Sequence, residues 1–234
     1  MAKANVFVSS DDVLVRNVEV VYPYVWDAER KRGNPQKNIL NIHSAFKASF
    51  PDRNVLEVST KSESPLGRSC SPFNLMCMLR DGRRRNVESL YQSAKVFEDG
   101  TQYAELADVS AFLAKTDKRL KTGKRIVSFR LDGQDFPTEP KTLFYNFLYV
   151  KAMSQNGEIG DRLMAYDAFT DCMFSPKYGE INCQARACAL YVSLRKRKLL
   201  DVALESVEAF RKTVYESVRE RDKKENVMQN LFEI

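Results

Sequence analysis

Glu88, Gln92 and Lys95 set an acid, an amide and an amine four and three residues apart in NVESLYQSAKVF, residues 86–97. A helix carries residues at this spacing on one stripe. There a carboxylate can stabilise developing positive charge, an amide can orient a hydroxyl, and an amine can exchange a proton. Asn86 predicts an N-cap, and an acid in the first turn suits the helix dipole. Val87, Leu90, Tyr91, Ala94 and Phe97 supply apolar residues beside the stripe. On this segment alone, a capped helix with a solvated polar stripe accounts for the same pattern. Three arginines, Arg83, Arg84 and Arg85, stand immediately before it, so a cationic edge adjoins the acid.

The flanking sequence supplies the elements that position these groups. NVFVSS and VLVRNVEVVY alternate and are rich in β-branched residues, which predicts a strand pair joined at Asp11-Asp12. Residues 35–50 carry a helical pattern, and NVLEVST returns to strand. The Ser/Pro/Gly-rich SESPLGRSCSP predicts a loop, FNLMCML a short buried strand, and Asp81-Gly82 a turn. Residues 103–121 are expected to form one helix with a basic end, and IVSFRLDG a strand ending in a turn. KTLFYNFLYVKAM is so apolar that it predicts a central helix covered on most sides. IGDRLMAYDAF and ARACALYVSLRKR predict further helices, with DCMFSPKYGEINCQ irregular between them. From Asp201 to about Lys224, Leu204, Val207, Phe210 and Val214 share one helical face, expected to pack on the body. Strands are few and clustered, so the class is α+β, mainly α. The expected organisation is one domain over residues 1–200, with strands and a helix in 1–60, followed by an amphipathic helix and tail over 201–234.

Composition narrows the functions available. The 234 residues are 44% hydrophobic and 29% charged, as a globular chain with a real core requires. Five cysteines and no C-x-x-C pair argue against a disulfide framework or zinc site and for a reducing cytoplasm. The single histidine, His43, lies in a helical pattern far from any nucleophile motif, which disfavours a Ser–His hydrolase. No apolar run is long enough to span a membrane, and no secretory leader pattern opens the chain. Lys and Arg exceed the acids by 37 to 31 and cluster in KRGNPQK, RRR, KTDKRLKTGKR and RKRK, which suggests a polyanionic partner.

Separated segments then carry a resemblance. VESLYQSAKVF holds Glu88, Gln92 and Lys95; upstream, GRSCSPF holds Gly67, Ser71 and Phe73; downstream, DCMFS holds Asp171 and Phe174, and a last helix ends VSLR. In this order the chain resembles the NADAR (YbiA-like) family. LEVSTKS, FPTEPKTLFY, FTD and INCQARACALYVSLRKR bring it closest to the antitoxins associated with DarT toxins. The family is described as acting on N-glycosides of ribose, including ADP-ribose attached to guanine in DNA. The resemblance therefore implies a YbiA-like fold and an ADP-ribosyl glycohydrolase that counteracts a DarT-type toxin. ADP-ribosylated DNA and ADP-ribose would be its partners, with no cofactor and no membrane.

Cleavage of a ribosyl C–N bond builds positive charge at the anomeric carbon, and a carboxylate beside that carbon stabilises it. The resemblance assigns that carboxylate to Glu88. Lys95 follows either as proton donor or as an amine attacking ring-opened ribose. Asp171 would hold ribose hydroxyls or water, and Gln92 a hydroxyl or Glu88 itself. Phe73, Phe136 and Phe174 would stack on substrate, Arg68 and Arg186 would meet the pyrophosphate, and Arg83–Arg85 would form a nucleic-acid edge. Ser89 and Pro72 replace a family His and Asn, Phe136 and Phe174 replace tryptophans, and GEINCQARA replaces a glycine-rich loop. These departures bear on the substrate more than on the reaction. Two alternatives stay open: an N-glycosidase of small ribosyl metabolites such as riboflavin-pathway intermediates, and a non-catalytic antitoxin that binds ADP-ribose or the toxin.

Overall fold

The N-terminal alternation makes a hairpin. In the computed structural model, which describes residues 1–121, 123–173 and 183–216, β1 (Ala2–Ser10) pairs antiparallel with β2 (Leu14–Tyr22) along its whole length. A short ladder of β3 (Trp26–Asp27) and β4 (Arg32–Gly33) leads into α1 (Pro35–Ser49). Asn34 caps α1, its side chain accepting from the Lys37 amide, and Pro35 fills a first-turn position where a missing N–H costs nothing. After β5 (Val55–Glu57), the stretch expected to be loop holds a short helix, α2 (Pro65–Ser69). Ser64 as cap and Pro65 behind it are a helix start that the surrounding loop composition obscured.

Two of the three consecutive arginines, Arg84 and Arg85, lie in a strand. β6 (Met76–Met78) pairs antiparallel with β7 (Arg84–Asn86) across the Asp81-Gly82 turn. α3 (Val87–Ser93) follows at once, then β8 (Lys95–Phe97). The single helix expected over 103–121 is broken into a 3-10 turn (Ala104–Asp108), α4 (Ala111–Thr116) and a second 3-10 turn (Lys118–Lys121). Ser110 starts α4 by accepting from the Leu113 amide, and Asp117 ends it by accepting from the Arg119 amide. β9 (Ile126–Leu131) and β10 (Gln134–Pro137) form a hairpin through Asp132 and Gly133, both at positive φ, and β8 completes a three-stranded sheet in the order β10-β9-β8.

α5 (Leu143–Ser154) is the expected central helix, buried on nearly every side. α6 (Gly157–Leu163) stops earlier than the sequence suggests, and β11 (Ala168–Thr170) takes the place of its last turn. β11 sits inside a four-stranded sheet of order β2-β1-β11-β5, antiparallel to β1 and parallel to β5, with Phe169 opposite both Phe7 and Leu56. All three of its residues are buried, so no alternation marked it in the sequence. α7 (Gln184–Lys196), α8 (Leu200–Leu204), α9 (Val207–Arg211) and a π-type turn (Lys212–Glu216) close the described chain.

Period-two side-chain direction splits the core between the two faces of this sheet. Val6, Val8, Val20 and Tyr22 pack against Ile42 and Phe46 of α1. Phe7, Leu56 and Phe169 pack on the other side in the larger cluster with α5 and α7. Within the described residues, the face expected beyond residue 200 packs on the body through Phe210 and Val214, with Leu204 and Val207 half-buried beside them, but Ser206 breaks it into two short helices by capping the second. Residues 217–224 of that expected helix lie outside the described residues. The described residues form an α+β fold in which helix exceeds strand.

Candidate active site

The polar triplet survives by a different route from the helical stripe. Asn86 caps α3 as expected, its side chain accepting from the Ser89 amide at 2.8 Å. The helix then ends at Ser93, and Lys95 opens β8. Turning out of the helix still brings the lysine back: its Nζ donates to Gln92 Oε1 at 2.6 Å, and Gln92 Nε2 donates to Glu88 Oε1 at 2.8 Å. Acid, amide and amine thus form one hydrogen-bonded chain, with the Glu88 residue only 5% exposed. The Lys95 ammonium also lies 5.1 Å from the centre of the Tyr91 ring. Burial holds its pKa below the ordinary lysine value; the Glu88 charge opposes that shift and Lys115 adds to it.

Glu88, Gln92, Ser71, Phe73 and Asp171 line one cleft of about 890 Å³, together with Tyr91, Tyr145 and Gln184. That is the size of a small-molecule or cofactor site. The loop carrying Ser71 and Phe73 is tied to the first turn of α3 by the Glu88 amide, which donates to the Pro72 carbonyl at 2.9 Å. Asp171 enters from the end of β11. Glu57, buried at the end of β5, accepts from Thr170 Oγ1 at 2.7 Å and from the Cys172 amide at 2.9 Å, fixing the backbone on either side of Asp171. Burial raises the Glu57 pKa. His43 Nε2 lies 2.9 Å from Thr170 Oγ1; burial, with some help from Lys47, lowers its pKa to about 4, so it is neutral at pH 7. Because Thr170 donates to Glu57, its oxygen is left to accept from His43. Tyr145 is held protonated by burial, reinforced by the charges of Glu88 and Asp171.

Lys95 is not among the lining residues; it touches the cleft through Gln92 and Tyr91. Several other expected site residues lie elsewhere. Gly67 is structural: a Cβ there would overlap the Glu57 carbonyl and the Ser62 side chain, where α2 crosses β5. Arg68 is occupied by the Ser62 and Glu63 carbonyls, each at 2.8 Å from its Nη1, and does not line the cleft. Phe136 is a core residue, its ring centre 4.8 Å from that of Phe144 and 5.3 Å from that of Phe147. Arg186 lies on α7 outside the cleft lining, where its charge acts on Tyr215. Phe174 lies outside the described residues.

The three arginines also stand apart from the cleft. Arg85 is 8% exposed and is clamped by Asp81 at 2.8 Å and Asp108 at 2.7 Å. Arg83 pairs with the same two aspartates, and Arg84 donates to Asn156. None of the three lines the cleft. The rim instead carries Phe112, Lys115 and Thr116 of α4, with Lys121 and Met173. Lys115 lies 5.2 Å from the centre of the Phe73 ring. The basic run 115–125 announced the lysines; nothing in the sequence singled out Phe112, Tyr145 or Gln184.

A family model described as DarT1-associated NADAR antitoxin matches residues 2–224. No curated protein matches the chain.

Proposed function

The chain belongs to the DarT1-associated NADAR antitoxin family, and from that premise we propose that it is an ADP-ribosyl glycohydrolase removing ADP-ribose from guanine bases in DNA. The observation that carries this is the Glu88–Gln92–Lys95 chain, with its acid end in the wall of a cleft that also holds Asp171. The bond from the ribose anomeric carbon to the base nitrogen breaks, and its electron pair stays with the base. Glu88 stabilises the positive charge that appears on the sugar, in a buried site where a fixed charge acts strongly. Water, oriented by Asp171, supplies oxygen to the anomeric carbon and a proton to the base. The products are free ADP-ribose and restored guanine.

Gln92 holds the Glu88 carboxylate with one amide hydrogen, and Lys95 fixes the orientation of that amide from behind. Lys95 therefore acts through Gln92 as a positioning cation. Tyr145 and Ser71 are hydroxyl groups within the cleft for ribose, and Lys115, beside Phe73, meets the pyrophosphate in place of Arg68 and Arg186. The test is direct. An oligonucleotide ADP-ribosylated on guanine by the cognate toxin is incubated with the protein, and both products are weighed by mass spectrometry. Release of ADP-ribose with recovery of the unmodified strand is expected. An adduct that persists while the protein binds it would overturn catalysis in favour of sequestration.

A further inference from the structure

We infer that the exposed edge of α4 beside the cleft seats single-stranded nucleic acid flanking the modified nucleotide, one base stacked on Phe112 and phosphates on Lys118 and Lys121. The first observation is an aromatic ring left in water. Phe112 is 66% exposed and yet lines the cleft, while Ala111 and Ala114 of the same short helix are buried and anchor it. An anchored, water-facing ring suits base stacking, which tolerates any sequence because every base has a π face.

The second observation is where positive charge is left over. In the basic run after α4, Arg119 is paired with Glu105 and Asp117, Lys124 with Asp99, and Arg125 with Glu98. Among the described residues, Lys118 and Lys121 are exposed and pair with no acid, and Lys121 lies on the cleft itself. Arg83, Arg84 and Arg85 are by contrast matched to Asp81 and Asp108 or bonded to Asn156. Unneutralised cations, one of them on the same cleft as the exposed ring, complement a polyanion carrying aromatic bases. A single strand is favoured over a duplex because Glu88 is buried, so a modified base reaches it only when out of the stack.

The inference rests on the cleft acting on an ADP-ribosylated base, but its test does not need that chemistry. A labelled, unmodified single-stranded oligonucleotide is titrated with the full chain at increasing salt and followed by fluorescence anisotropy. Phe112→Ala should weaken binding about 5- to 150-fold, the usual range for losing one stacked base. Phe112→Leu, which keeps apolar area without a π face, should weaken it comparably. Lys118→Gln with Lys121→Gln should lower the slope of log affinity against log salt by about 0.7 for each lysine. Lys47→Gln, on α1 outside the cleft, serves as the charge control. Affinity and slope unchanged in the rim variants would overturn the inference. So would Phe112→Ala loosening the toxin while leaving the oligonucleotide bound, since the edge would then be a protein contact. If these rim effects appear but the wild-type chain releases no ADP-ribose, the glycohydrolase assignment fails and the strand seat stands.

Discussion

Replacing Glu88 with Gln separates an enzyme from a binder most cleanly. The substitution keeps the shape, and its oxygen can still accept from Gln92 Nε2, which sits 2.8 Å from the present carboxylate. What changes is charge. The helix dipole term at the first turn of α3 is lost, roughly 0.3–1 kcal/mol. The hydrogen bond from Gln92 falls from a charge-assisted to a neutral one, about 1 kcal/mol more. Together these leave most of an ordinary stability of about 5–15 kcal/mol, so the variant should fold. Lys95 should move further below the usual lysine range, because the Glu88 charge is the force now opposing burial. On the proposed mechanism, turnover loses the group that faces the oxocarbenium-like charge and should fall by about 10²–10⁴, or roughly 3–5 kcal/mol of barrier. The assay is single-turnover release of ADP-ribose from a modified oligonucleotide, run beside a thermal melt and a calorimetric titration with ADP-ribose. A folded Glu88→Gln protein that binds and still turns over near the wild-type rate would refute the assignment. In cells, that variant should be expressed normally and fail to rescue growth from the toxin.

Three further outcomes follow from particular contacts. His43 has a folded pKa of about 4 against an ordinary 6.5, so its contribution to stability is complete above pH 6.5 and is lost as pH falls toward 4. Wild type should therefore lose up to about 3 kcal/mol more than His43→Gln between pH 7 and pH 4 in urea denaturation; parallel curves would show that the ring is not buried neutral. Gly67→Ala should cost about 1–3 kcal/mol by chemical denaturation, since its new methyl meets the backbone carbonyl of Glu57, and a neutral result would mean that α2 moves freely off β5. Borohydride added during turnover should leave the Lys95 peptide unmodified, because the amine is engaged by Gln92 behind the cleft wall; a ribose adduct on that peptide would restore Lys95 as a nucleophile.

Legibility in the sequence tracked how local each cause was. The β1–β2 hairpin, α1, the cap at Asn86 and the aromatic α5 rest on alternation, capping chemistry or bulk hydrophobicity within a few residues. Glu88, Gln92 and Lys95 were legible as a group although the helix joining them ends at Ser93, because a short turn restored the contact that one more helical turn would have made. The pairing of the arginine run was not legible, for a non-local reason. Arg85 looks free in the sequence, but one of its two acids, Asp108, lies 23 residues away and is brought in only by packing. β11 was hidden because a strand buried on both faces shows no period, and its partners β1 and β5 lie far back in the chain. Glu57 was passed over for the same reason, since its bond to Thr170 spans 113 residues.

The cleft draws its wall from residues as early as Ser59 and as late as Gln184, the first residue of α7. This has a consequence in the timing of synthesis. At roughly 5–20 residues per second, Gln184 leaves the ribosome on the order of 5–20 s after Glu88 does. During that interval the acid exists without the pocket around it. A chain cut short before α7 would keep Glu88, Gln92 and Lys95 and have no closed site in which to use them. Protection against the toxin should accordingly appear in one step as α7 docks on the sheet, and nested C-terminal truncations should lose it abruptly at that helix rather than by degrees.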